Sequence, residues 1–275
     1  MNPDALMKDE SSWTQRVRGA LAARPMLWRI YRQLRKRLLN EHPEPGPIHR
    51  VLATYALEST PVRFVQIGSN DAAFGDPIID FVLRHGWSGV MVEPVPNIYA
   101  RLRRRHGANP RLRFENLAID SSDGSRVFYS LQPLAAPPSP WYDQMGSFSR
   151  EHILKHERFT PGLAQHIRET TVECLRLDTL LARHGIRELQ LLHIDAEGHD
   201  YAVLQSLDFS RCQPELLLFE HGHLPRDQRT ACAAFLEARG YRLLHEGRDC
   251  LALHAAAHAR RPATARLFDA LAPET

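Results

Sequence analysis

Two clusters of acid and imidazole groups dominate the chemistry available to this 275-residue chain: Asp195-Ala196-Glu197-Gly198 and Glu220-His221-Gly222-His223. Carboxylates this close repel each other unless something binds them. A substrate hydroxyl, an amino group, a metal or a nearby base would serve. His221 has the chemistry of a general base, and Glu220 that of an orienting group or substrate ligand. Asp195, Glu220 and His221 together also make an oxygen-and-imidazole set that suits a divalent metal. No tight ligand spacing such as H-E-x-x-H accompanies them, so a metal is not specified. Helix capping is the plainer role for either Asp195 or Glu197, although one cap hardly needs two acids.

Two further features lie upstream. Gly68, in Gly68-Ser69-Asn70-Asp71, directly follows an apolar run. A residue without Cβ lets the backbone approach a ligand closely there. No G-x-G-x-x-G follows, and the next glycine is Gly75, so a nicotinamide dinucleotide is the weakest reading. Glu93 ends a second apolar run, 25 residues after Gly68. An acid in this place accepts hydrogen bonds from both ribose hydroxyls and disfavours a 2′-phosphate. The pair points to a nucleoside cofactor such as S-adenosylmethionine (SAM).

The surrounding pattern alternates β-rich runs with helical ones. Strands are expected at 62–67, 89–93, 112–118, 189–194 and 215–220, with helices between them, and an antiparallel pair at 241–246 and 250–254 closes the series. Alternating units of this length predict an α/β fold with a mostly parallel sheet and helices on both faces. Ligands bind such sheets beyond the carboxyl ends of the strands, where all four features fall. Residues 120–188 are less regular, with one expected strand at 126–131 and a helix at 177–184. Residues 134–140 contain three prolines and cannot form a central element. Residues 132–170 therefore suggest an inserted, lid-like segment whose Trp141, Tyr142 and Phe148 suit stacking on a sugar face or packing onto the sheet.

Charge is unevenly spread. The chain carries a net +3, but its first 50 residues hold ten basic and five acidic groups, leaving 25 and 27 for the remainder. Residues 1–47 read as a basic amphipathic helical extension, ended by the breaker cluster His42-Pro43-Glu44-Pro45-Gly46-Pro47, and residues 48–275 as the main domain. The extension suits peripheral membrane contact or self-association. A body without excess positive charge offers no field for nucleic acid. Four dispersed cysteines exclude a zinc knuckle and a disulfide framework. No secretory leader or membrane-length apolar run is visible, so a cytoplasmic location, with membrane association through the extension, is expected. Of the fifteen histidines, His221 is the first candidate for acid–base work, His199 and His223 the second, and His193 a buried structural residue.

These motifs, taken in order, resemble the FkbM-type SAM-dependent methyltransferases over roughly residues 62–254. The matching pieces are Val65-Gln66-Ile67-Gly68-Ser69-Asn70-Asp71, Val92-Glu93-Pro94-Val95-Pro96, Asn116-Leu117-Ala118-Ile119, Leu177-Asp178-Thr179-Leu180 and Ile194-Asp195-Ala196-Glu197-Gly198-His199-Asp200. The resemblance implies the class I methyltransferase (Rossmann-like) fold, a seven-stranded sheet with one antiparallel strand. It implies SAM as cofactor and methyl transfer to a hydroxyl of a sugar, glycoconjugate or natural product. Gln66, Gly68, Ser69, Asn70 and Asp71 would then lie at the methionine part, and Glu93 and Pro94 at the ribose. Asn116 and Ala118 would lie near the adenine, and Asp195 and Glu197 would face the methyl group and the acceptor. Ala72 departs from the family, which carries glycine there, and restricts positive φ unless Gly75 supplies that freedom. An RNA methyltransferase using the arginines, and a binding module that has kept the fold without the chemistry, are the alternatives.

Overall fold

Short runs of Val, Ile, Leu and Phe, apolar on both faces, build the centre of the molecule. The computed structural model describes residues 45–59, 61–73, 75–134, 137–138 and 142–272. Most of the expected basic extension, and Trp141, lie outside the described residues. Strand β1 (Arg63–Ile67) is parallel to β2 (Ser88–Val92), which pairs with β3 (Leu112–Glu115). On the other side of β1 stand β8 (Leu191–Ile194) and β9 (Leu216–Glu220), again parallel. Strand β11 (Asp249–His254) is antiparallel to β9 and carries β10 (Tyr241–Glu246) at the sheet edge. The order β10-β11-β9-β8-β1-β2-β3 gives seven strands with a single reversed one.

Period-2 alternation splits the side chains into two cores. Phe64, Met91, Leu216, Leu218 and Leu253 face one side, under helix α1 (Pro47–Glu58) and the C-terminal helix (Pro262–Leu271). Val65, Val92, Leu192, Leu217 and Cys250 face the other. Both faces are covered, as a parallel sheet requires. Burying each of these large side chains contributes roughly 1.5–3 kcal/mol. Helix α2 (Ile79–His85) joins β1 to β2, and α3 (Pro96–His106), opened by a proline that tolerates the lack of a donor, joins β2 to β3. No helix among the described residues is long and apolar enough to cross a membrane.

The irregular middle of the sequence forms a second sheet. Its strands β4 (Ala118–Ile119), β5 (Gly124–Leu131), β6 (Gly146–Ser147) and β7 (Ile167–Leu175) run in the order β4-β7-β5-β6. Two expectations change here. The third strand stops at Glu115 rather than Ala118, because the chain turns at Asn116 and continues into the second sheet. Strand β7 was not expected at all. Its first five residues are mostly exposed, and its fully buried side chains are confined to Val172, Cys174 and Leu175, too few to show a pattern. Between β5 and β7 lie β6 and the short helix α4 (Arg150–Leu154), within the span expected to be inserted.

The first turn binds the sheet together. Gly68 has φ +73, and a Cβ on it would meet the Asp195 carbonyl oxygen at 1.8 Å. Gly68→Ala should therefore combine left-handed strain with a backbone collision, destabilising by about 3 kcal/mol. Thermal unfolding should show a fall of roughly 10 °C for a unit of this size. An unchanged melting temperature would contradict the close approach.

Candidate active site

Beyond the carboxyl ends of β1, β2 and β8 the chain opens into a cleft with two unlike halves, which meet at Gly68 and Asp195. One half is apolar and spans about 490 Å³ with its mouth, walled by Val92, Pro94, Leu117, Ala118, Phe128 and Phe148. The other is polar and spans about 530 Å³, walled by Gln66, Ser69, Asn70, Asp71, His193 and Glu197. A third, wider cavity of about 880 Å³ with its mouth adjoins the polar half through Glu197 and Gln144. Met145, His156, Phe159, His223 and Arg248 complete it.

The first turn is held by the backbone and by Glu93. Amides of Gly68 and Ser69 both donate to the Val92 carbonyl, at 3.0 and 2.9 Å. Glu93 is buried, and its two carboxylate oxygens accept from the Asn70 amide at 3.0 Å and the Val95 amide at 2.8 Å. Burial outweighs those donors and pushes its pKa up to about 7. Asn70 and Ala72 both take positive φ, +49 and +46, as does Gly75 at +74. The turn thus keeps its left-handed step at Ala72 and does not hand it wholly to Gly75. Asp71 faces the guanidinium groups of Arg101 and Arg105, each at 3.4 Å.

The strand-end acids form one network. Asp195 keeps solvent contact through the cleft, but protein closes round it elsewhere. That crowding, then the charges of Glu197 and Asp249, raise its pKa, while a hydrogen bond with Glu220 opposes the rise. Glu220 is pushed up further, to about 9, by desolvation and by Asp195 and Glu197. The two carboxyls therefore share one proton near neutral pH. Arg248 donates to Glu220 at 2.7 Å, and His223 Nε2 lies 3.2 Å from the same oxygen. Asp200 is wholly buried and raised well above the usual range by desolvation and then by Asp195. It accepts the Glu220 amide at 3.2 Å, and its second oxygen has no partner.

Glu197 behaves oppositely. Desolvation would raise it, but the hydrogen bond from His152 and the nearby His223 and His156 pull it down. His152 Nε2 sits 3.0 Å from Glu197 Oε2, and His223 Nε2 3.8 Å from it. Burial holds His223 at about 4 and so neutral at ordinary pH.

Of the residues expected at a site, Gln66, Gly68, Ser69, Asn70, Asp71, Glu93, Pro94, Ala118, Asp195 and Glu197 all line the cleft. Asn116 does not. Its amide donates to the carbonyls of Glu93 (2.8 Å) and Pro94 (3.0 Å), which braces the end of β2. Glu220 stands behind Asp195 rather than in the cavity wall. His221 turns the other way, its ring 4.8 Å from that of His245, and its imidazole lines none of the three chambers. The chain leaves β9 at Glu220 and turns, with the His221 and Gly222 amides both donating to the Arg248 carbonyl at 3.0 Å, and this turn carries the His221 ring away from the cleft. His223, two residues on, faces the cavity that His221 was expected to face.

Sequence reasoning missed His152 and His156. Their i, i+4 spacing places both on one side of a helical turn, which was the available signal. Phe148 is not free to stack on an acceptor: it walls the apolar half, 5.1 Å from Phe128 and 4.9 Å from His199, with the Arg126 guanidinium 4.2 Å over its ring. Tyr142 is buried.

A sheet of this order, with a glycine turn after its first strand, an acid following its second and a cleft across both, is the fold of the class I methyltransferases. The profile of the Methyltransferase FkbM domain matches residues 66–243, and the chain belongs to that family. No curated protein matches it. Among solved structures, a methyltransferase FkbM from Methylobacillus flagellatus KT is similar at 13% identity and a TM-score of 0.45, over 70% of this chain and 44% of that one. The human methyltransferase 10 domain containing protein shares 10% identity with a TM-score of 0.37, over 77% and 83%. The precorrin-6y C5,15-methyltransferase of Geobacter metallireducens GS-15 shares 11% with a TM-score of 0.37, over 75% and 87%.

Asp120 anchors the wall beside Phe148. It is buried at the end of β4, bonded to Arg126 and to His199 Nε2 at 2.9 Å. Burial would raise it, but Arg126, the Ser121 amide and His199 together hold it at about 2. A carboxyl depressed in the folded state stabilises it above the unfolded value, and that stability is lost as pH falls through the folded one. Asp120→Asn should cost roughly 2 kcal/mol at neutral pH. In urea unfolding the variant should lose the wild-type decline between pH 4 and 2 attributable to this group. Equal stability at both pH values in the two proteins would refute the assignment.

Proposed function

We propose that this protein transfers the methyl group of SAM to a hydroxyl oxygen of a sugar, glycoconjugate or natural-product acceptor. The observation that carries the reading is the junction at Asp195 and Glu197, where an apolar chamber, a polar acidic chamber and an open cavity meet. The residues fit the cofactor's parts. The apolar half suits a purine, and Glu93 at its edge keeps acceptor capacity for two ribose hydroxyls. The polar half carries Asp71, Asp195 and Glu197, which favour a cation and repel phosphate. Acidic walls of this kind also speak against an RNA acceptor.

SAM, when bound, supplies a methyl carbon already electrophilic on a charged sulfur. The protein's tasks are then alignment, exclusion of water and removal of the hydroxyl proton. Asp195 is the group to take that proton on its carboxylate, because its raised pKa matches a base that works near neutrality. Glu197 positions the acceptor. Glu220, which already carries a proton near neutral pH, donates to Asp195 and so holds its carboxylate in place. His221, against His245, takes no part.

Asp195→Asn should lower turnover by at least about 100-fold while SAM binding, read by calorimetry, weakens but stays measurable. Glu93→Gln should weaken SAM by roughly tenfold through loss of a charged acceptor. Wild-type titrations in buffers of different ionisation heat should show proton release near pH 7, since a cationic ligand favours ionised Glu93 and Asp195. Full turnover by Asp195→Asn on the true acceptor would remove it as the base, and absence of SAM binding would sink the whole reading.

A further inference from the structure

Three segments remote in sequence bring two imidazoles and one carboxylate to a single point beside the cleft. His152 comes from α4, Glu197 from the loop after β8, and His223 from the loop after β9. One ligand atom from each lies within 4.8 Å of the others, and His152 Nε2 and His223 Nε2 are 3.0 and 3.8 Å from the same Glu197 oxygen. We propose that His152, Glu197 and His223 bind one divalent transition-metal ion, and that this ion's open positions hold the acceptor hydroxyl together with a neighbouring oxygen.

The geometry is close to what such an ion needs. Metal–ligand bonds of about 2.0–2.2 Å set ligand atoms about 3.0–3.5 Å apart, so one pair is already in place and the others require a small closing movement. Two imidazoles and a carboxylate are the donors of zinc, cobalt, iron and related ions, while magnesium prefers oxygen alone. Three protein donors leave positions free, as a working rather than a purely structural site does.

The backbone is bent to make this cluster. Glu197 takes φ +49 and Gly198 φ +90, so the carboxylate is delivered from a left-handed residue that is not glycine. Strain of this kind persists only where the surroundings hold it, and it concentrates at functional positions. Ser147 Oγ donates to the Glu197 carbonyl at 3.3 Å, fixing the turn from the inserted segment. Glu220, itself held by Arg248, lies 3.2 Å from the same His223 Nε2, so that nitrogen exchanges the Glu220 contact for the ion as the cluster closes.

The position also suits the chemistry. Glu197 borders both the polar half of the cleft and the wide cavity of Gln144, Met145, His156 and Phe159. An ion there would lie between the cofactor side and the acceptor side. A vicinal diol, or a hydroxyl beside a carbonyl, would chelate it. The hydroxyl proton passes to Asp195, the O–CH3 bond forms, the S–CH3 bond breaks, and its electron pair stays on sulfur. The ion is unchanged. This role rests on the methyl-transfer reading, but the ion's binding does not.

The test uses the full, tag-free chain, stripped with a chelator and titrated with cobalt chloride alone. Wild type should bind one Co2+ per chain with a visible absorption band. Zn2+ should displace it, and millimolar Mg2+ should not. His152→Ala and His223→Gln, checked for folding by circular dichroism, should weaken binding by more than roughly tenfold. His221→Ala should bind as wild type. No saturable one-to-one Co2+ binding, or unaltered binding in whichever ligand variant folds, would overturn the site. Calorimetry with SAM in excess chelator separates the two ideas. SAM binding without Co2+ binding removes the metal and keeps methyl transfer, and Co2+ binding without SAM binding does the reverse.

Discussion

At Gly68 the first strand passes so close to the eighth that a Cβ would lie 1.8 Å from the Asp195 carbonyl oxygen. The contact is backbone against backbone, so no side chain can yield to relieve it. It pinches the cleft at its waist and sets Asp195 where the apolar and polar halves join. The two parallel strands arrive there in register, with Ile67 opposite Ile194 and the Asp195 amide donating to the Ile67 carbonyl at 2.9 Å. Everything the site does with a proton or a cation depends on that placement.

Crowded acids are the second consequence. Asp195, Glu197, Glu220 and Asp200 converge on two neighbouring strand ends, and they cannot all be charged without cations beside them. The protein resolves this unequally. Burial pushes Asp200 and Glu220 toward their neutral forms, while the hydrogen bond from His152 draws Glu197 toward its ionised one. Asp195 lies between, poised near neutrality. An arrangement that maintains one shared proton and one unshared charge a few ångströms apart is unfavourable without a cation beside it. A cationic ligand on one side and a metal ion on the other would each relieve part of it.

How much of this was visible beforehand follows from where the information lay. Strand ends were legible because apolar runs stop abruptly at Gly68, Glu93, Asp195 and Glu220, and the parallel sheet follows from their alternation with helices. The cleft residues came with them. His221 was misplaced because a strand's direction is easily read, while the turn just after Glu220 is pinned to the carbonyl of Arg248, a residue remote in sequence. Asn116 looked like a ligand contact because its amide is equally fit to bind a purine or a carbonyl, and only the fold shows the carbonyls of Glu93 and Pro94 within reach. Strand β7 hid behind its exposed, polar face. His152 hid because its partners are 45 and 71 positions away, a distance no local spacing encodes.

The inserted segment then ties the chambers into one device. Its Ser147 holds the Glu197 turn, its Phe148 walls the apolar half, and its His152 reaches Glu197. All three lie within six residues. Phe148 is in turn clasped by Arg126 and His199, which share Asp120. Filling the apolar half would press on Phe148, and through the short chain from Phe148 to His152 would bear on the cluster that faces the acceptor. A rigid second sheet makes that link direct, because β6 is paired to β5 and cannot swing without breaking those bonds. The His152–Glu197 contact at 3.0 Å is set by this same short segment, so the geometry that would hold an ion is a property of the fold and does not wait on the apolar half.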